Sequence, residues 1–267
     1  MEMYGVKAEV GATFDSGPEF AYSDFKYKLH PEINKPELAC GYIPLKADYE
    51  VICPWAKLDA DNEKYATYPE GIPERTHFGT FFGKQAEDFM DKMGFDYIWF
   101  SNGFGYSFVP WTYHGANFDG EKFGTGDYRA IADRIISFWE EFKNQCPRRI
   151  EVRGTNFSTG MEISKDCTPV QEFYDREFLD LPACNSPWGY LNYDFGLELG
   201  GYLTRIACTP TRDFPFRFYL DDPWFWQICW EHGFERQPHE IYGPMSLSRV
   251  AKDGSIEGAN ILEILTV

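Results

Sequence analysis

Along this chain, short apolar runs with a two-residue alternation take turns with longer runs of helical period, and that order restricts the fold more than any other feature. Residues 5–14 (GVKAEVGATF) read as a strand. Residues 31–76 are Pro-rich and irregular, with a strand at 49–53. A helix is expected over 79–93, with Phe82, Gln85, Ala86, Phe89 and Met93 along one side and Gly94 as its stop. Residues 96–101 (DYIWFS) read as a strand, and 103–124 as a loop rich in glycine and aromatics. The clearest helix is 126–144, where Ile131, Ile135, Phe138, Trp139 and Phe142 share one face before Pro147. Residues 148–156 (RRIEVRGTN) follow as a strand. A short helix is expected at 169–178 and a longer one at 189–206, interrupted by Gly196, Gly200 and Gly201. Strands at 215–221 (PFRFYLD) and 259–267 (ANILEILTV) complete the set.

Strands that alternate with helices over one domain's length point to a βα-type sheet or barrel. The expected fold class is α/β, a (β/α)8 TIM-barrel-like domain. With 267 residues the chain has the usual length of one such barrel. Residues 1–267 are expected to be a single catalytic barrel-type domain, with 31–76 as a loop-rich insertion. The strands fall short of eight and no helix follows the last, so the barrel is expected to be incomplete or the chain a fragment of a larger one.

The alternation within the strands separates two faces. Val6, Ala8, Val10, Ala12 and Phe14 oppose Lys7, Glu9, Gly11, Thr13 and Asp15. Ile150 and Val152 oppose Arg149, Glu151, Arg153 and Thr155, and Phe216, Phe218 and Leu220 oppose Arg217, Tyr219 and Asp221. An antiparallel sheet with one wet face gives the same pattern. In a barrel the apolar parity meets the helices and the polar parity faces the lumen. Charges there must be paired, and the strand ends open onto the face where barrel enzymes work.

Composition narrows the partners. Lys and Arg number 25 against 42 Asp and Glu, a formal charge of −17, which argues against a nucleic-acid partner. Hydrophobic residues make up 43%, enough to bury a core, which argues against disorder. No stretch approaches the roughly 18 to 20 apolar residues of a membrane span, and no secretion signal opens the chain. The expected location is cytoplasmic, or secreted or periplasmic if a signal has been removed. Seven scattered cysteines without a C-x-x-C pair read as reduced buried thiols. The five histidines are far apart, with no metal-ligand spacing, no G-x-S-x-G elbow and no P-loop. No metal or cofactor is expected.

Four strand exits carry the candidate chemistry. In TFDSGPEF, Asp15 and Glu19 suit acid/base work or sugar hydroxyls, or simply form a turn. In WFSNGFG, Trp99 and Asn102 suit ring stacking and hydroxyl binding, with an ordinary Asn-Gly turn as the alternative. In EVRGTNFSTG, Glu151 is a carboxylate of the polar parity, and Arg153 and Asn156 stand where they would orient a carboxylate or substrate. In YLDDPWFW, Asp221 and Asp222 point to opposite faces and Trp224 follows. Asp221 shares the lumen parity, while Asp222 before Pro223 also serves to shape the turn. NSPW at 185–188 reads as a helix cap.

These exits, TFDSGPEF, FSNGFG, RGTNFSTG and YLDDPW with a closing LTV strand, resemble the (β/α)8-barrel glycoside hydrolases, closest to poorly characterised bacterial glycosidase-like proteins. The likeness runs along most of the chain, although no strand exit carries the Asn-Glu pair of the large retaining clan. It implies a barrel and a glycan of plant, algal or microbial origin. The expected activity is hydrolysis of glycosidic bonds in oligo- or polysaccharides by two carboxylates. Asp15, Asp221 and Glu151 are the catalytic candidates. Glu19, Trp99, Asn102, Arg153, Asn156, Asp222 and Trp224 are the substrate-binding ones. The alternatives are a non-catalytic carbohydrate-binding protein and a metal-dependent hydrolase or lyase. The expected partner is a carbohydrate, with no nucleic acid and no membrane; the oligomeric state is open.

Overall fold

A computed structural model describes residues 8–14, 24–33, 55–100, 128–152, 169–179, 213, 215–219, 246 and 248–265. Strands β1 (Gly11–Phe14), β4 (Tyr97–Phe100) and β5 (Arg149–Val152) form a parallel sheet in the order β1-β4-β5. Helix α1 (Phe78–Met93) lies between β1 and β4 in sequence, and α2 (Tyr128–Lys143) between β4 and β5. Parallel neighbours need such crossovers, because a tight turn can only reverse the chain. The register sets Gly11, Tyr97 and Arg149 in one row, then Ala12, Ile98 and Ile150, then Thr13, Trp99 and Glu151.

Successive rows point to opposite faces. Ile98, Phe100 and Ile150 join the core with the helices, while Arg149 and Glu151 lie on the opposite face with Tyr97 and Trp99. The expected division into a helix-facing apolar parity and an opposed polar parity is therefore seen in β5, at Arg149, Ile150 and Glu151. Val10 belongs to the apolar parity by sequence but is 56% exposed, because it precedes the first residue of β1.

Helix α1 begins where His77 Nδ1 accepts the Gly79 amide at 3.0 Å and ends at Gly94, whose φ of +74° favours glycine. Its buried side differs from the expected one. Phe78, Phe81, Ala86 and Met90 are buried, whereas Phe89 and Met93 are 50% and 60% exposed. The reason is a glycine seam. A Cβ on Gly79 would lie 2.7 Å from the Phe138 carbonyl oxygen, and one on Gly83 2.7 Å from that of Phe142. This contact fixes the rotation of α1 against α2, and Phe89 lies about 100° around the helix from Met90. Phe89 instead meets Phe95, ring centroids 5.6 Å apart.

Helix α2 presents the face expected of it: Ile135, Phe138, Trp139 and Phe142 are fully buried. The side chain of Ile131 lies outside the described residues. Aromatic rings fill the space between sheet and helices. Phe100 sits 5.5 Å from Phe142, 5.7 Å from Trp139 and 5.7 Å from Phe82, each edge to face. The short helix α3 (Val170–Asp175) adds Phe173 to the same core.

Besides two short helical turns, Phe25–Leu29 and Pro31–Ile33, the described part holds three further strand pairs. Strands β6 (Pro215–Tyr219) and β9 (Ile261–Leu265) are parallel. Strands β7 (Ser248–Val250) and β8 (Ile256–Gly258) form a hairpin that the sequence reading did not anticipate. Strands β2 (Lys57–Leu58) and β3 (Thr76–His77) pair within the irregular segment. The strand expected at 49–53, the loop at 103–124, the NSPW cap and the helix at 189–206 lie outside the described residues.

His77 makes this start of α1 sensitive to acid. Burial holds its pKa below the ordinary value, Glu141 opposes that shift and Lys57 adds to it. The neutral ring is the one whose Nδ1 can accept from Gly79. A depressed folded pKa contributes stability that is present above the ordinary value of about 6.5 and is lost as pH falls through the folded value. Urea unfolding of wild type should therefore weaken on going from about pH 7 to 5, and His77→Asn, which caps without titrating, should weaken less. Equal slopes would show that His77 does not govern this window.

Candidate functional site

Two of the ten candidate site residues, Trp99 and Glu151, lie in the described part, and they are neighbours. They face each other in register on adjacent parallel strands, one residue short of the C-terminal end of each. Glu151 is 3% exposed and Trp99 5%, so the carboxylate is shielded from open water. Trp99 is thus too covered to offer an open stacking platform. Asp15, Glu19, Asn102, Arg153, Asn156, Asp221, Asp222 and Trp224 lie outside the described residues.

Charge on this face is paired. Arg149, two residues before Glu151 on β5, brings Nη2 to 3.2 Å from Glu151 Oε1. Its Nη1 donates to Glu9 Oε2. Its guanidinium carbon lies 4.3 Å from the centroid of the Tyr97 ring, a cation–π contact. The ring in turn lies over Gly11, where a Cβ would approach to 2.3 Å. Burial works to lower the Arg149 pKa, but the Glu151 and Glu9 charges outweigh it and the net shift is upward. Arg149 and Glu9 were readable as polar-parity residues, but their contact joins positions 140 apart in sequence.

A second polar cluster was missed by sequence reasoning. His30 is fully buried, with Nδ1 2.7 Å from Glu32 Oε1 and Nε2 2.8 Å from Asp61 Oδ2. The Tyr65 hydroxyl donates to Asp61 Oδ2 at 2.6 Å, and the Ile72 and Glu63 amides donate to Oδ1. Burial works to raise the Asp61 pKa, and the hydrogen bonds from Tyr65, Ile72, His30 and Glu63 together hold it below the usual range. The Tyr65 hydroxyl is pushed up, by burial first and then by Asp61. The Phe25 ring closes over His30 at 4.6 Å. Both imidazole nitrogens are occupied, so neither is left to exchange a proton with a substrate. The cluster joins segment 24–33 to the irregular segment 55–77 and reads as a structural clamp. Only spacing-independent chemistry connects His30 with Asp61, so no local motif announces it.

Other features carry less chemistry. An open groove of about 980 Å³ is lined by Glu140, Lys143, Tyr174, Arg176 and Phe178, among others. It lies at the C-terminal end of α2, which leads into the start of β5, and so at the opposite end of the sheet from the strand exits. The Cys146 thiol is buried, and burial, aided by Glu87, pushes its pKa up to about 12, so it is held as an inert thiol. The other six cysteines lie outside the described residues. Among the described residues, no group of three or more His, Cys, Asp or Glu is placed to hold a metal ion, and no helix is long and apolar enough to cross a membrane. A scan against protein-family models gives no match, and searches of the curated proteins and of the solved structures give none either.

Proposed function

We propose that the chain is a glycoside hydrolase of (β/α)8-barrel type and that its site is built on the polar face of the parallel sheet, at the strand exits. The observation that carries this reading is the row Thr13, Trp99 and Glu151 across three parallel strands, with a buried carboxylate beside an aromatic side chain. Keeping a carboxylate buried is costly unless it is paired, and such groups concentrate at functional sites. Three parallel strands, β1, β4 and β5, with α1 and α2 in the crossovers and Ile98 and Ile150 toward the helices, agree with a segment of such a barrel. The surplus of acidic residues and the aromatics at the strand exits agree with a glycan substrate handled by two carboxylates. The burial of Trp99 argues against the open stacking surface of a binding protein.

A panel of chromogenic glycosides and polysaccharides tests it. The wild-type chain should turn over at least one, and Glu151→Gln, compared as folded protein, should lower kcat by about 100- to 10,000-fold. It should also lower the thermal midpoint, because Arg149 loses a buried partner. Turnover of nothing on the panel, or a Glu151→Gln variant as active as wild type, would contradict the reading.

A further inference from the structure

We infer that Glu151 is the carboxylate that stays ionised in the working pair, and that Arg149 is the positioning residue that keeps it so. The inference rests on the hydrolase reading above and assigns a role within that site. Arg149 and Glu151 share a face because they are two apart on β5. The guanidinium is held three ways: by Glu9 at Nη1, by the Tyr97 ring at 4.3 Å, and by Glu151 itself, 3.2 Å from Nη2. The first two holds do not depend on Glu151, so the cation is in place whatever the state of the carboxyl. An arginine does not give up its proton in the range where proteins work, so its charge is permanent.

Two effects then oppose each other at Glu151. Burial favours the neutral acid, and a guanidinium in contact favours the anion. Contact with a fixed cation decides for the anion: Glu9 shares that cation, but the attraction between Arg149 and Glu151 is the larger of the two charge interactions. A carboxylate that is already ionised has no proton to give. In a two-carboxylate hydrolase it attacks the anomeric carbon or takes the proton from the attacking water, and the leaving oxygen is protonated by the second carboxyl group.

Carboxyl NMR of the full chain with 13C-labelled glutamate tests this, the Glu151 signal being assigned by its loss in Glu151→Gln. Glu151 should titrate below the ordinary glutamate value of about 4.3. Arg149→Gln should raise that titration by about one pH unit or more, and Arg149→Lys should recover part of the change. Glu9→Gln, which removes the competing carboxylate and leaves the guanidinium to the Tyr97 ring and Glu151, should lower it. A Glu151 that titrates above the ordinary value in wild type, or is unmoved by Arg149→Gln, overturns the inference. If Arg149→Gln does not fold, the wild-type value and the direction in Glu9→Gln decide. The titration needs no substrate, so failure of this assignment and failure of the hydrolase reading are separate results.

Discussion

Replacing Phe142 by alanine should destabilise the chain by about 3 to 5 kcal/mol, seen as a lower urea midpoint at unchanged slope. Phe142 is fully buried and its ring meets four others: Phe82, Phe100, Phe138 and Trp139. It therefore joins α1, α2 and β4 at one point. Its backbone is pinned as well, because its carbonyl lies against Gly83 of α1, where a Cβ would stand 2.7 Å away. The helices cannot slide together to fill the space a missing ring leaves. The cavity term adds in full to the lost burial for that reason. Phe89→Ala is the matched control, since Phe89 is half exposed on the outer side of α1. It should cost far less, within the range of about 0.5 kcal/mol usual for surface substitutions, plus its contact with Phe95. Equal losses at Phe142 and Phe89 would mean that α1 is rotated from the position described.

The second large effect is expected at Asp61. Asp61→Ala removes the acceptor for Tyr65, for the Ile72 amide and for His30 Nε2 at once. His30 has no exposure to water and cannot find a replacement there. Breaking one side of a buried charged network costs about 3 to 5 kcal/mol, mostly as the penalty on the groups left behind. His30→Leu combined with Asp61→Leu removes only the orphaned imidazole, while the Tyr65 hydroxyl and the Ile72 amide stay unpaired and Glu32 loses its partner, so it should recover only part of the loss seen in Asp61→Ala. Additive losses in the double variant would show that the two residues act independently. Because hydrogen bonds hold the Asp61 pKa low in the folded state, its contribution is present above the ordinary carboxyl range and is lost as pH falls through the folded value.

What the sequence made legible was local. The approximate bounds of α1 and α2 follow from period, from Gly94 and from Pro147, and the structure has them at Phe78–Met93 and Tyr128–Lys143. The strands at Tyr97–Phe100, Arg149–Val152, Pro215–Tyr219 and Ile261–Leu265 fall inside the runs expected of them. Partnership was not legible. The side of α1 that faces inward is set by Gly79 and Gly83, two residues that carry no hydrophobic signal of their own. His30 and Asp61 stand 31 residues apart in a stretch without period. The hairpin of β7 and β8 has only three residues to a strand, too few to show an alternation, although Asp253-Gly254 marks its turn, with φ of +85° at Gly254. Of the candidate site, the pairing of Trp99 with Glu151 follows once the two strands are known to be parallel neighbours, but the anchoring of Arg149 by Glu9 and Tyr97 depends on how the strands line up.

A crystal structure of the Glu151→Gln chain with an oligosaccharide that the wild type cleaves tests the placement of the site most directly. The sugar should lie on the face that carries Tyr97, Trp99, Arg149 and residue 151, with its scissile bond beside the residue 151 side chain. A sugar bound elsewhere, as in the groove beside Glu140 and Tyr174, with none on that face, would contradict it.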